Sequence, residues 1–174
     1  MNESSIDQRI ADLPVAVDLT EDAVMLEVDL AGTAEQIWAH LTDPELLATW
    51  SPIVPERALT EPGPVLSREN PEDDPVSVDV LATADGHALT HRWGEDLLEW
   101  LVDEARVTLL MKLTELRYAP TYIAGWQVCL GVLDARLDGA DQPRIVGMDV
   151  LEHGWTQLRD RYAEELDLPD QPDV

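Results

Sequence analysis

Four strand-like runs follow one another closely between residues 76 and 114, and their spacing dictates the architecture. They cover residues 76–81, 88–93, 97–102 and 106–114, and the turn sequences between them contain Asp85-Gly86, Gly94-Glu95-Asp96 and Asp103-Glu104. A parallel crossover needs a dozen or more residues, so gaps this short force antiparallel neighbours. Such a meander has an apolar face that something must cover. The segment that follows supplies the cover: Pro120 opens a pattern in which Tyr122, Trp126, Cys129, Leu133 and Leu137 recur at three or four residues, with Ile123 and Leu130 beside them, and Gly139 ends it. This is a long helix with a broad apolar surface.

Upstream, Val24, Leu26, Val28 and Leu30 alternate with Met25, Glu27 and Asp29, the pattern of a half-buried strand. Gly32 breaks it. Thr33 and Gln36 then form a capping-box pair ahead of Ile37, Trp38 and Leu41, and Asp43-Pro44 opens a second short helix that ends at Ser51-Pro52. Seven prolines and glycines among residues 52–75 restrict strands there to short edge pieces, expected near residues 57–59 and 65–68. With 174 residues and 45% hydrophobic content, the chain suffices for one domain with tails. Residues 1–20 read as a flexible lead-in, residues 21–140 as the domain, and residues 141–174 as an extension with an added helix carrying Val150, Leu151, Trp155, Leu158, Tyr162 and Leu166. That apolar stripe must pack on its own domain or, alternatively, on a second copy in a homodimer.

The expected fold class is α+β. The order strand, two short helices, several strands, long helix is that of helix-grip proteins, in which a curved antiparallel sheet wraps a C-terminal helix. The run AEQIWAHLTDPELLATWSP, with Trp38, Thr42, Asp43, Pro44, Trp50 and Pro52, resembles the opening of the SRPBCC, or START-like, superfamily. The run AGWQVCLGVLDARLDG, with Gly125, Trp126, Leu130 and Leu133, resembles that superfamily's C-terminal helix. The match is similar to the branch of heat-shock chaperone ATPase activators. Many relatives carry a His after the Gly-Trp pair; this chain carries Gln127, so no role of that His transfers. The resemblance implies an internal pocket and one of three roles: a non-catalytic binder of a small hydrophobic molecule, a polyketide cyclase- or dehydratase-like enzyme, or a chaperone-activator-like interaction domain.

Composition narrows the partners. Thirty-six acidic residues against eleven basic ones give a net charge of -25, with Lys112 the sole lysine, which disfavours nucleic acid and anionic membrane. No apolar run reaches the roughly 20 residues of a membrane helix, and the acidic N-terminus does not read as a secretory signal, so a cytoplasmic protein is expected. Cys129 is the only cysteine, and His40, His87, His91 and His153 are scattered, so neither a disulfide nor a metal or cofactor is expected. No phosphate loop, dinucleotide turn or nucleophile elbow occurs.

Candidate ligand-binding residues are Trp93, Trp100, Met111, Trp126, Leu130 and Leu133, on the late strands and the inward helix face; ordinary core packing suits the same positions. Six tryptophans and no phenylalanine suit an aromatic or polycyclic ligand and equally suit a plain core. His91 is the candidate proton carrier for an enzymatic reading, with a solvated sheet face, shared with His87, as its ordinary alternative. Arg92, Arg106 and Arg117 are candidate cations near the cavity, or else members of surface ion pairs.

Overall fold

Two- and three-residue turns fix the register of the sheet. In the computed structural model, which describes residues 3–169 and Gln171 with side chains from Ile6 onward, strand β5 (Val80–Ala84) turns into β6 (Ala88–Trp93). β6 continues through Gly94-Glu95 into β7 (Asp96–Asp103), and β7 through Glu104-Ala105 into β8 (Arg106–Lys112). Gly94 supplies a positive φ of 63° in the β6–β7 turn, and Glu104 adopts a left-handed φ of 55° in the equally short β7–β8 turn. Strand β2 (Val24–Asp29) pairs antiparallel with β8, and β1 (Ala16–Leu19) with β2, so the six-stranded order is β1-β2-β8-β7-β6-β5. Register brings Val24 opposite Met111, Leu26 opposite Leu109, Trp100 opposite Leu109 and Leu98 opposite Met111, all on the buried face. The single run expected at 76–81 is two strands, β4 (Val76–Ser77) paired with β3 (Leu66–Ser67), and β5. The break falls where the Asp79 carboxylate accepts from the Val65 N–H at 2.9 Å. No strand forms at 57–59; Pro55 instead bridges to Ser67.

Helix α2 (Ala34–Thr42) begins with the capping box read in the sequence, Gln36 N–H donating to the Thr33 hydroxyl at 3.2 Å and Thr33 N–H to the Gln36 side-chain oxygen at 2.9 Å. Asp43 caps α3 (Pro44–Leu47) through the Glu45 N–H. Ile37, Trp38, Leu41 and Trp50 enter the same core as the sheet. Helix α4 (Ala119–Leu137) then lies against that core, with Ile123, Trp126, Leu130 and Leu133 buried. A helix-grip arrangement results, as the sequence implies.

The lead-in expected over residues 1–20 is folded throughout its described part. Residues Glu3–Asp12 form helix α1, whose Ile6 and Ile10 are buried against α4, and β1 extends the sheet. Two apolar residues four apart were too short a stripe to stand out among Ser, Asp and Glu. The added C-terminal helix is also divided: residues Gly147–His153 form a 3-10 segment, Gly154 turns left-handed at φ 85°, and α5 (Trp155–Glu165) follows. Its Trp155, Leu158 and Tyr162 are buried in the core that contains α4, so the stripe meets its own chain.

At the α1–α4 crossing, Gly131 has no room for a side chain. A Cβ there would stand 2.6 Å from the Ile10 Cγ1 and 3.1 Å from the Ile10 Cα, and backbone cannot step aside as a side chain can. Gly131→Ala should therefore destabilise the protein by about 1–3 kcal/mol despite alanine's better helix propensity, as read from the midpoint of urea unfolding. An unchanged or raised midpoint would show that α1 does not pack there.

Candidate functional site

On α4, residues 122, 125, 126 and 129 follow the i, i+3, i+4, i+7 rule and share one face. Together with Trp93 at the end of β6, Tyr122, Gly125, Trp126 and Cys129 wall a cleft of about 140 Å³. Pro52 and Glu69 close it from the proline-rich loops, and Val146 and Val150 from the C-terminal segment. The rings touch edge to face or tilted: Trp93 and Tyr122 have centroids 6.3 Å apart, and Trp93 and Trp126 5.3 Å.

Deeper in, Trp126 meets Trp100 at 5.2 Å and Trp50 at 6.2 Å, so indoles occupy the interior behind the cleft. Of the six sequence candidates, Trp93 and Trp126 line the cleft. Trp100, Met111, Leu130 and Leu133 lie in the core, each 2% exposed or less, away from the cleft lining. Tyr122 and Cys129 belong to the helical stripe of α4 visible in the sequence, and Val150 to the C-terminal stripe; Glu69 and Val146 carry no such signal.

The cleft has few polar groups. Burial pushes the half-buried Glu69 carboxyl above the usual carboxylate range; Arg144 opposes this and Asp73 adds to it. Burial also pushes the Cys129 thiol up to about 12, so the thiol form dominates, and its Sγ lies 3.6 Å from the Ile145 carbonyl. The indole Nε1 of Trp126 is buried and has no hydrogen-bond partner among the described residues. Such an unpaired buried donor is uncommon and costly. Arg144 anchors the neighbouring loop by donating from Nε to the Ser51 carbonyl at 2.8 Å, while its Nη2 is buried and likewise unpaired.

His91 is neither solvated nor in the cleft. It is 1% exposed on the inner sheet face, whereas His87 is exposed in the β5–β6 turn. An indole N–H can only donate, so the 3.0 Å bond from Trp100 Nε1 makes His91 Nε2 the acceptor and leaves its proton on Nδ1, which donates to the Arg92 carbonyl at 2.8 Å. Both nitrogens are thus engaged. Burial pushes the imidazole down to about 4, partly opposed by the bond to the Arg92 carbonyl. Of the candidate cations, Arg106 pairs with Asp29 at 2.8 Å and Arg117 with Glu115 at 3.7 Å at the surface. The arginine that acts on the cleft is Arg144, which the sequence did not single out. Among the described residues no group of three or more His, Cys, Asp and Glu side chains could hold a metal ion, and no helix is long and apolar enough to cross a membrane.

No family model matches the sequence, and no curated protein matches it. Solved structures do. The conserved protein of unknown function EF2215 from Enterococcus faecalis superposes with a TM-score of 0.67 at 16% identity, over 97% of this chain and 99% of its own. CalU16 from Micromonospora echinospora gives a TM-score of 0.67 at 16% identity over 91% and 98%. These proteins share the fold. DynU16, a protein of the dynemicin biosynthetic locus, matches over 71% of this chain and 49% of its own, with a TM-score of 0.61 at 18% identity.

The His91 environment predicts an acid sensitivity. Its folded pKa lies below the unfolded value near 6.5, so the unfolded chain takes up a proton first, and stability is lost as pH falls from about 7 to 4. The contribution is roughly 3 kcal/mol. Comparison with His91→Gln, whose amide oxygen can still accept from Trp100, isolates it: the stability difference between the two proteins should shift by that amount in favour of the variant between pH 7 and 4. A pH-independent difference would place His91 in water.

Proposed function

We propose that this chain is an SRPBCC-type binding protein that holds a small, mainly apolar molecule of about one aromatic ring in the cleft walled by Trp93, Tyr122 and Trp126, without catalysing a reaction. The observation that carries the reading is the cleft itself, ring faces and aliphatic side chains around about 140 Å³. Pockets for drug-sized ligands run to roughly 300–1,000 Å³, whereas an apolar cavity of about 150 Å³ accepts benzene. A ligand of several fused rings would project beyond this cleft. DynU16's place in a biosynthetic locus supports seeking the ligand among the products of small-molecule biosynthesis.

A cyclase-like reaction driven by His91 gains no support from an imidazole with both nitrogens engaged outside the cleft. Likeness to the chaperone activators rests on the sequence resemblance alone, and no observation favours that role.

Gly125 offers a clean test. It lines the cleft, and a Cβ there would have its nearest neighbour at 3.9 Å, the Trp155 Nε1. Gly125→Leu should therefore fold, fill the cleft and stop binding. Toluene added to methyl-labelled protein should shift the Val146 and Val150 methyl resonances, and those shifts should vanish in the variant. Shifts elsewhere, or shifts that survive in the variant, would remove the cleft from the account.

A further inference from the structure

The alternation that turns Leu98, Trp100, Leu109 and Met111 into the core turns Met25, Leu97, Leu101 and Leu110 to the outer face of the sheet, where none of them is buried. Leu101 is 40% exposed, and Leu81, at the bulge of the edge strand β5, is 44% exposed. A scattered surface leucine needs no explanation. Here register gathers them: Met25 lies opposite Leu110, Leu101 opposite Ala88, and Leu110 diagonal to Leu101, so an apolar band crosses the middle of the sheet. We infer that this outer face docks a second copy of the chain about a two-fold axis that runs across the strands.

Charge selects both the face and the axis. A chain of net charge -25 repels its own copy over most of its surface. On the outer sheet face, Arg92, Arg106 and the sole lysine, Lys112, stand among five acids, Asp18, Glu27, Asp29, Glu99 and Asp103, so the excess of acid there is small. The signs are also separated. Lys112, Leu97 and Arg92 form one end row of the face, and Asp29, Arg106 and Asp103 the other. The turns past these rows add Glu95 at the basic end and Glu104 at the acidic end. Arg106 already pairs with Asp29 and Glu27, whereas Lys112 has no acid partner among the described residues. A two-fold axis along the strands would set the Lys112 rows against each other. An axis across the strands sets each Lys112 row over the Asp29–Asp103 row of the other copy and stacks the apolar bands between them.

Six strands about 4.8 Å apart and four side-chain rows make a face of roughly 500 Å² per copy, the small end of specific interfaces. The dimer is therefore one that builds up with concentration. The inference stands apart from the cleft and from its ligand.

Sedimentation equilibrium of the full chain up to about 1 mM tests it. The weight-average mass should rise with concentration from 19.4 kDa toward twice that value. Leu101→Glu and Lys112→Glu should each weaken association by about tenfold or more, and Lys112→Glu combined with Asp103→Lys should recover most of the loss. Leu101→Thr, which suits a strand and shortens the apolar contact, replaces Leu101→Glu if the glutamate variant fails to fold. A mass that stays at the monomer value throughout would overturn the inference. A dimer that forms equally well in the Leu101 and Lys112 variants would place the contact on another surface and overturn it too. Loss of association that the double variant does not recover would overturn the axis across the strands.

Discussion

Helix α4 has almost no face to give to water, and the rest of the molecule is arranged around that fact. Thirteen of its nineteen residues are buried, and they lie all round the helix axis. A helix apolar on every side must be enclosed, whereas a sheet can cover only one side of it. Trp126, Leu130 and Leu133 join the core built on the inner faces of β2, β7 and β8. The opposite side needs α1 and α5. Burying a Leu- or Ile-sized side chain is worth about 1.5–3 kcal/mol, so neither terminal helix is dispensable to the core they complete. Gln127 marks where the three helices meet. It is fully buried, its amide donates to the Ile10 carbonyl of α1 at 2.8 Å, and its oxygen accepts from the Tyr162 hydroxyl of α5. Arg9 adds ion pairs to Asp134 at 2.6 Å and Asp138 at 2.8 Å near the other end.

The same constraint explains the size and place of the cleft. A sheet closed by a helix leaves interior space that side chains or a ligand must fill. Here Trp50, Trp100 and Trp126 fill it, and the Trp100 N–H is taken by His91, an otherwise costly buried imidazole that thereby becomes a neutral hydrogen-bond acceptor. A space remains beside the first half of α4, where Gly125 interrupts the wall and the C-terminal segment passes over without filling the gap. A ligand there is met by rings on one side and by Glu69 on another.

Much of this was legible in the residues. Short gaps with turn chemistry gave β6, β7 and β8 nearly to their ends, and the Thr33-Gln36 and Asp43-Pro44 signals gave α2 and α3, because caps and turns are local and do not need the rest of the fold. Helix α1 is not legible in the sequence, because Ile6 and Ile10 make sense only once α4 is known to need covering. The site was half legible for a similar reason. Trp93 and Trp126 stand out in the sequence as aromatic residues and line the cleft, but alternation cannot distinguish the inner sheet residue that touches a cleft from the one beneath it, as Trp100 and Met111 show. Glu69 and Arg144 sit in irregular chain, where no periodicity announces what a side chain faces. Gln127, which stands where the sequence resemblance implies a His, holds the helices together.

Native-state hydrogen exchange measures the central dependence directly. If α4 stands only because α1 and α5 enclose it, the amides of residues 8–12 and 158–165 should exchange through the same opening as those of 126–133, with free energies close to that of global unfolding. Residues 8–12 exchanging through a small local opening while α4 keeps its full protection would contradict the account, and would show α4 to be self-sufficient against the sheet.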